Sequence, residues 1–343
     1  MNKPSGFDFG PFADLPLLDG HIHVWSDLDP VILNLALERT GARRYNVLSI
    51  SLVPASADQP GTLNELALRF KQSSENRAFS FGALDYSSLC LGSDDLVAQA
   101  RALRTRGFDG IKMWEGKPSV YAHLPDRLDG SFYAPYWMWI ETNAFPITIH
   151  MADPLRFWDP ARAGLDRWSY VGNEYPTREE MYAETERILN RYPRLKLIFA
   201  HFLFFWDDLP RAARFLDAHP AVSLDLTPGV AGYLDLSENR DAAREFFLRY
   251  QDRLIYGTDI GAGPVIDPHA PFDSAREVGQ AWLVRAFLET DWQVSLPPGI
   301  GVVTNQFAGR RLRGIVLPQT ALAKIYWDNF ERIVGQKPRT VVL

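Results

Sequence analysis

Two histidines one residue apart, His21 and His23, close the apolar run that starts at Leu17. In a strand, residues two apart point to the same face. The pair therefore presents two imidazoles to one side, which suits two bonds to a single metal ion, since neutral imidazole is a good ligand for zinc, iron or manganese. The same spacing also fits a satisfied structural pair. Ligand-type residues at the ends of later strands separate the two readings, and three are present. His150 ends the run from Phe145, His201 ends the run from Leu195, and Asp259 ends the run from Arg253.

The elements that must carry these residues alternate regularly. After the His-x-His strand, Asp29, Pro30 and Gly41 mark the cap, first turn and end of a helix. An alternating run from Tyr45 to Val53 follows, and Thr62 with Glu65 has the capping-box pattern. Phe79 to Leu84 and Gly110 to Trp114 read as strands three and four, separated by a helix that Ser93 caps. Phe132 to Asn143 reads as helix, and strand five then ends on His150. Met151 to Pro176 is a long βα loop. Thr177 and Glu180 cap the next helix, and strand six ends on His201. A helix from Leu209 to Ala218, a strand from Ala221 to Leu226, a helix from Glu238 to Tyr250 and the strand ending on Asp259 complete the alternation. A last helix is expected from Pro318 to Val334, after a less readable stretch.

Eight β/α units without a Gly/Ser linker point to one closed (β/α)8 TIM barrel. The strands are short apolar runs, as expected when both faces are buried. An open doubly wound sheet shows the same alternation, but the polar residues favour closure. Strands one and eight are neighbours only in a barrel, and only there do His21, His23, His150, His201 and Asp259 meet at one mouth. The chain is thus read as a single domain over 1–343, with an N-terminal arm over about 1–14 and a C-terminal helical extension over about 262–343.

The Asp-Gly-His-Ile-His start, the Ile-Thr-Ile-His, Ile-Phe-Ala-His and Tyr-Gly-Thr-Asp strands, and the ending Ile325 to Arg332 resemble the amidohydrolase superfamily, in its amidohydrolase-2 branch. That branch contains aminocarboxymuconate-semialdehyde decarboxylase, related aromatic-acid decarboxylases and hydratases, and lactonases. The resemblance implies that His21, His23, His150 and Asp259 bind one divalent metal, zinc first and manganese second, and that His201 is catalytic beside it. Binuclear relatives carry a carboxylated lysine at the end of strand four, where Lys112 stands here. The expectation for this chain is a mononuclear site without that modification. The implied chemistry is hydrolysis of a small cyclic or aromatic substrate, a lactone or amide. Water is activated by the metal and Asp259 moves its proton. Non-oxidative decarboxylation of an aromatic or muconate-like acid is the alternative, and a barrel that has lost its metal and serves only to bind is a third.

Substrate contacts should come from the βα loops. Trp25, Trp114, Arg156, Trp158 and Trp206 follow strands one, four, five and six, as do Arg162 and Trp168 in the long loop. Aromatics with arginine suit a flat organic acid, whose carboxylate a guanidinium holds bidentately. His123, His219 and His269 read as solvated, Asp153 and Asp207 as turn or cap residues, and Trp137 to Trp139 as packing. The formal charge of −6 and pI near 5.7 give no nucleic-acid footprint. No run is long and apolar enough for a membrane span, and no signal peptide is expected. The single cysteine, Cys90, excludes an internal disulfide and suits a cytoplasmic enzyme. A homo-oligomer is left open.

Overall fold

The structure, a computed structural model, describes residues 7–25, 30–52, 61–87, 91–163, 168–172, 174–261, 273–296, 300 and 310–342. Asp29, Val53, Pro54, Cys90 and His269 lie outside them. Eight parallel strands stand side by side in chain order: β1 Leu18–Ile22, β2 Arg44–Leu48, β3 Ala78–Gly82, β4 Gly110–Gly116, β5 Ile147–Met151, β6 Leu197–Phe199, β7 Ser223–Asp225 and β8 Leu254–Ile255. Every residue of β1, β3 and β5 is buried, so these strands show no polar-out alternation, and their polar members Asp19, His21, Ser80, Thr148 and His150 are enclosed with the apolar ones. The helices α1 Pro30–Thr40, α2 Asn64–Ser73, α3 Ser93–Thr105, α4 Ala134–Asn143, α5 Arg178–Arg191 and α6 Leu209–Ala218 follow the first six strands in turn. Two helices, α7 Val230–Glu238 and α8 Arg240–Arg249, follow β7. After β8 comes α9 Ser274–Glu289, which packs against α1.

Closure between β1 and β8 excludes the open sheet. Gly20 N donates to Tyr256 O at 2.9 Å, Asp259 N to His21 O at 2.9 Å, and His23 N to Ile260 O at 2.8 Å. The buried Asp19 reinforces the seam, accepting from Thr258 Oγ1 at 2.5 Å and from Thr258 N at 3.1 Å. Gly20 is required by this approach, because a Cβ there would stand 2.9 Å from Ile255 Cγ2 and 3.0 Å from Tyr256 O. The floor of the barrel is filled by Leu18, Leu48, Phe79, Phe81, Ile198 and Ile255 from five strands, together with Phe330 and Ile333 of the C-terminal helix. Phe330 meets Phe79 edge-on, with ring centroids 5.1 Å apart.

Several local expectations hold and others shift. The capping box is complete at α5, with Glu180 N donating to Thr177 Oγ1 and Thr177 N to Glu180 Oε2. Gly41 has the left-handed φ of +82° expected after a helix end. Thr62 is no N-cap, because it pairs in a short ladder with Ser51 and α2 starts only at Asn64. Gly92 rather than Ser93 precedes α3. Asn239 interrupts the helix expected from Glu238 and caps α8 with its own side chain. The last helix runs as expected in position but contains a π turn, Lys324–Asp328, between Gln319–Ala323 and Asn329–Val334. No helix among the described residues is long and apolar enough to cross a membrane.

Candidate metal centre

The mouth side of the barrel is shaped by backbone as much as by side chains. His21 lies within β1 and His23 just beyond it. Asp259 has a φ of 63° and turns away from the β8 direction. After β6 the chain enters four consecutive left-handed residues, His201 (55°), Phe202 (59°), Leu203 (53°) and Phe204 (54°). Each costs a residue with a Cβ roughly 1–2 kcal/mol, so the segment must be held by its surroundings. It is: Tyr182 OH donates to Leu203 O at 2.9 Å, His201 N donates to Asp225 Oδ1 at 2.8 Å, and the Phe202 ring stacks on Trp206 at 4.5 Å.

Three ligand atoms converge. His21 Nε2 and His23 Nε2 are 3.2 Å apart, and Asp259 Oδ1 is 3.3 Å from each. The opposite nitrogens are already engaged: His21 Nδ1 lies 2.7 Å from Asp225 Oδ2 and His23 Nδ1 lies 2.9 Å from Leu48 O. Both partners only accept, so each Nδ1 carries the proton and each Nε2 presents a lone pair, that of His21 also facing Lys112 Nζ at 3.4 Å. Two lone pairs and a carboxylate oxygen in mutual contact repel unless a cation lies among them. Tetrahedral zinc with bonds of ~2.0–2.1 Å has ligand–ligand edges of roughly 3.3–3.4 Å, so the donor set fits in type and spacing. These three are also the residues among those described whose ligand atoms gather closely enough to hold a metal ion.

Burial, then the Lys112 ammonium, pushes His21 down to about 4, and burial pushes His201 down to about 3. Both imidazoles are neutral at neutral pH, as ligation and hydrogen-bond acceptance require. Burial works against ionisation of Asp259, but the surrounding imidazoles of His23, His21 and His201 outweigh it and hold the carboxyl below the ordinary carboxylate range. Lys112 Nζ stands 3.4 Å from His21 Nε2, and burial pulls it down to about 8.

Other expected residues are placed differently. His150 and His201 are near neighbours, with rings 5.0 Å apart, and the His201 ring lies 5.6 Å from that of His21. His150 is outside the three-residue group, with its Nε2 3.2 Å from Asp153 Oδ1. Asp153 is no turn residue: it is buried and also takes Lys117 Nζ and Tyr170 OH. Trp206 has its ring faces packed against Phe202 and Tyr233. Trp158 donates to Pro176 O and stacks near Tyr170, within its own loop. Arg156 lies over the Phe157 ring at 5.0 Å, and Lys117 lies over Trp168 at 4.2 Å. Trp25, Trp114 and Trp206 each bury an indole Nε1 without an acceptor among the described residues. His219 is not solvated but buried against Glu186.

Asp225 was not singled out by the sequence, yet it binds both halves of the site. Oδ2 accepts from His21 Nδ1, and Oδ1 accepts from the backbone of His201 and, at 3.1 Å, from Thr227 N. The signal was a charged residue inside an apolar strand run. Asp225→Asn should cost about 10–100-fold in metal affinity, as loss of such an outer partner does elsewhere. Zinc titration of apo wild type and variant measures it, and equal affinities would remove Asp225 from the site.

A family model described as Amidohydrolase matches residues 18–336. The chain belongs to the amidohydrolase family. No curated protein matches the chain. Solved structures that resemble this amidohydrolase include a probable 2-pyrone-4,6-dicarboxylic acid hydrolase from Acinetobacter baumannii with citric acid bound. It is 12% identical, with a TM-score of 0.52, over 94% of this chain and 100% of that one. A 2,6-dihydroxybenzoate decarboxylase from Rhizobium is 14% identical, with a TM-score of 0.56, over 93% and 98%. A 5-carboxyvanillate decarboxylase from Sphingomonas paucimobilis is 13% identical, with a TM-score of 0.51, over 93% and 99%. At these identities the likeness is one of fold.

Proposed function

We propose that this amidohydrolase hydrolyses a small cyclic or aromatic organic acid, a lactone or amide, with one divalent metal, zinc before manganese. The observation that carries the reading is the convergence of two Nε2 lone pairs and Asp259 Oδ1, each 3.2–3.3 Å from the next. A bound ion supplies Lewis acidity there, lowering the pKa of water towards ~7 and polarising a carbonyl. Asp259 takes the proton of the attacking water and returns it to the leaving oxygen or nitrogen as the ring bond breaks. His201, neutral and held by Asp225 through its backbone, donates to the oxygen that gains charge at the carbonyl carbon. The indole N–H groups of Trp25 and Trp114 offer donors for an oxygen acceptor on the substrate. A buried donor left unpaired costs about 1–3 kcal/mol, which a carboxylate or carbonyl oxygen would offset.

Decarboxylation is the second reading, favoured by the two decarboxylases among similar structures. Both readings use the same ligands, a small-molecule acid as partner, and a cytoplasmic setting. Screening lactones, amides and aromatic acids while following ring opening and carbon dioxide separates them. Metal-dependent uptake of water supports hydrolysis. Carbon dioxide release from an unhydrolysed acid overturns it in favour of a lyase.

A further inference from the structure

The left-handed turn after β6 places more than one group at the mouth of the barrel. His201 opens it and Phe204 closes it. Their rings stack, with centroids 5.4 Å apart and planes at 24°, and Phe204 also packs against the His150 ring at 5.4 Å. A right-handed path through the same residues would send the two side chains elsewhere, so the hand of the turn decides where the His201 imidazole points. Local preference runs against that hand at every one of the four residues.

The turn is pinned from outside. At its entry His201 N donates to Asp225 Oδ1. At its exit Phe205 N donates to Phe202 O at 3.1 Å and Asp208 N to Phe205 O at 3.0 Å, and Asp208 caps α6. Between them Tyr182 OH reaches from α5 to Leu203 O at 2.9 Å, and both residues are buried. Leu203 has a φ of 53° and a ψ of 24°. Its return to the right-handed region would swing the carbonyl off the hydroxyl and leave two buried polar groups unpaired. Tyr182 is itself held. Its ring packs against Phe205 at 5.0 Å, and the Arg211 guanidinium lies over it at 4.5 Å. Arg211 of α6 donates to both oxygens of Glu179 of α5, at 2.8 and 2.7 Å, so the first turns of the two helices are clamped around the tyrosine. We propose that Tyr182 is a positioning residue for His201: its hydroxyl locks the left-handed turn, and the turn aims the imidazole at the substrate. The inference rests on the reading of His201 as a group that acts on substrate.

The test uses the full chain and the substrate found by the lactone, amide and aromatic-acid screen. Tyr182→Phe removes the hydroxyl and keeps the ring. Hydrogen–deuterium exchange of the amides of 201–205 should become roughly 2–10-fold faster, the worth of one buried hydrogen bond. Metal content and KM should stay near wild type while kcat falls on the order of 10–100-fold, as a small misplacement of a reacting group does. That loss should vanish in a His201→Asn background, where no imidazole is left to aim. Tyr192→Phe is the control. It also removes a hydroxyl bonded to a backbone carbonyl, that of Ala134 at 3.2 Å, but from the other end of α5. It should change neither the exchange of 201–205 nor kcat. Arg211→Gln leaves the hydroxyl but unclamps its ring, and takes the place of Tyr182→Phe if that variant does not fold. Four results overturn the proposal: wild-type exchange at the turn, wild-type kcat despite faster exchange, an equal kcat loss in the His201→Asn background, or equal effects of Tyr192→Phe. Wild-type turnover of His201→Asn alone brings down the catalytic reading of His201 instead, and the inference with it.

Discussion

His21→Ala/His23→Ala should abolish metal binding while leaving the barrel folded. Purified wild type should carry about one divalent ion per chain, as a single site with an open position does. The double variant should carry next to none. The two imidazoles supply two of the three converging atoms, and only Asp259 Oδ1 would remain. The affinity loss should exceed the roughly 10–100-fold that removal of an outer partner causes. The seam between β1 and β8 is made by backbone and by Asp19, so the truncations spare it. Elemental analysis and a melting curve measure both outcomes. Equal metal content in the two proteins, or a second fully occupied ion in wild type, would overturn the mononuclear site.

The second large effect separates holding the metal from using it. His201→Asn should keep near-normal metal and lose on the order of 10²–10⁴-fold in turnover, the range for a positioned acid–base or oxyanion donor. Its ring lies outside the ligand group, although 5.6 Å from that of His21. Asp259→Asn should lose turnover at least as severely and weaken metal binding as well, since Oδ1 is within 3.3 Å of both Nε2 atoms. The neutral amide neither balances the ion's charge nor carries a proton away from water. Turnover of His201→Asn equal to wild type would show that His201 only packs. Loss of metal from it would make His201 a ligand.

Much of this was legible in the sequence because a (β/α)8 barrel, covered outside by its helices, buries both faces of its strands. Ile147 to His150 and Leu197 to Phe199 could hardly be anything but interior strands, and the ends of those runs name the site. Helix α6 and the Thr177–Glu180 cap were equally readable, since both are local. What escaped was set by distant partners. His150 ends its strand as read, but its contact with Asp153, and the Lys117 and Tyr170 bonds to that carboxylate, could not be seen along the chain. Trp206 looked available because it follows a strand end, yet the left-handed run at His201–Phe204 folds Phe202 onto its face. Asp225 was hidden inside a strand that otherwise reads as plain core.

Asp225 has a further consequence for how such a site can diversify. One carboxylate fixes the tautomer of His21 and the backbone entry to the segment that carries His201. Lengthening or re-routing the connection after β6 would pull on the same carboxylate that orients His21. Loops that do not share this anchor, such as those carrying Trp25 and Trp114, are freer to change, while the β6 connection changes as one piece with the candidate metal centre.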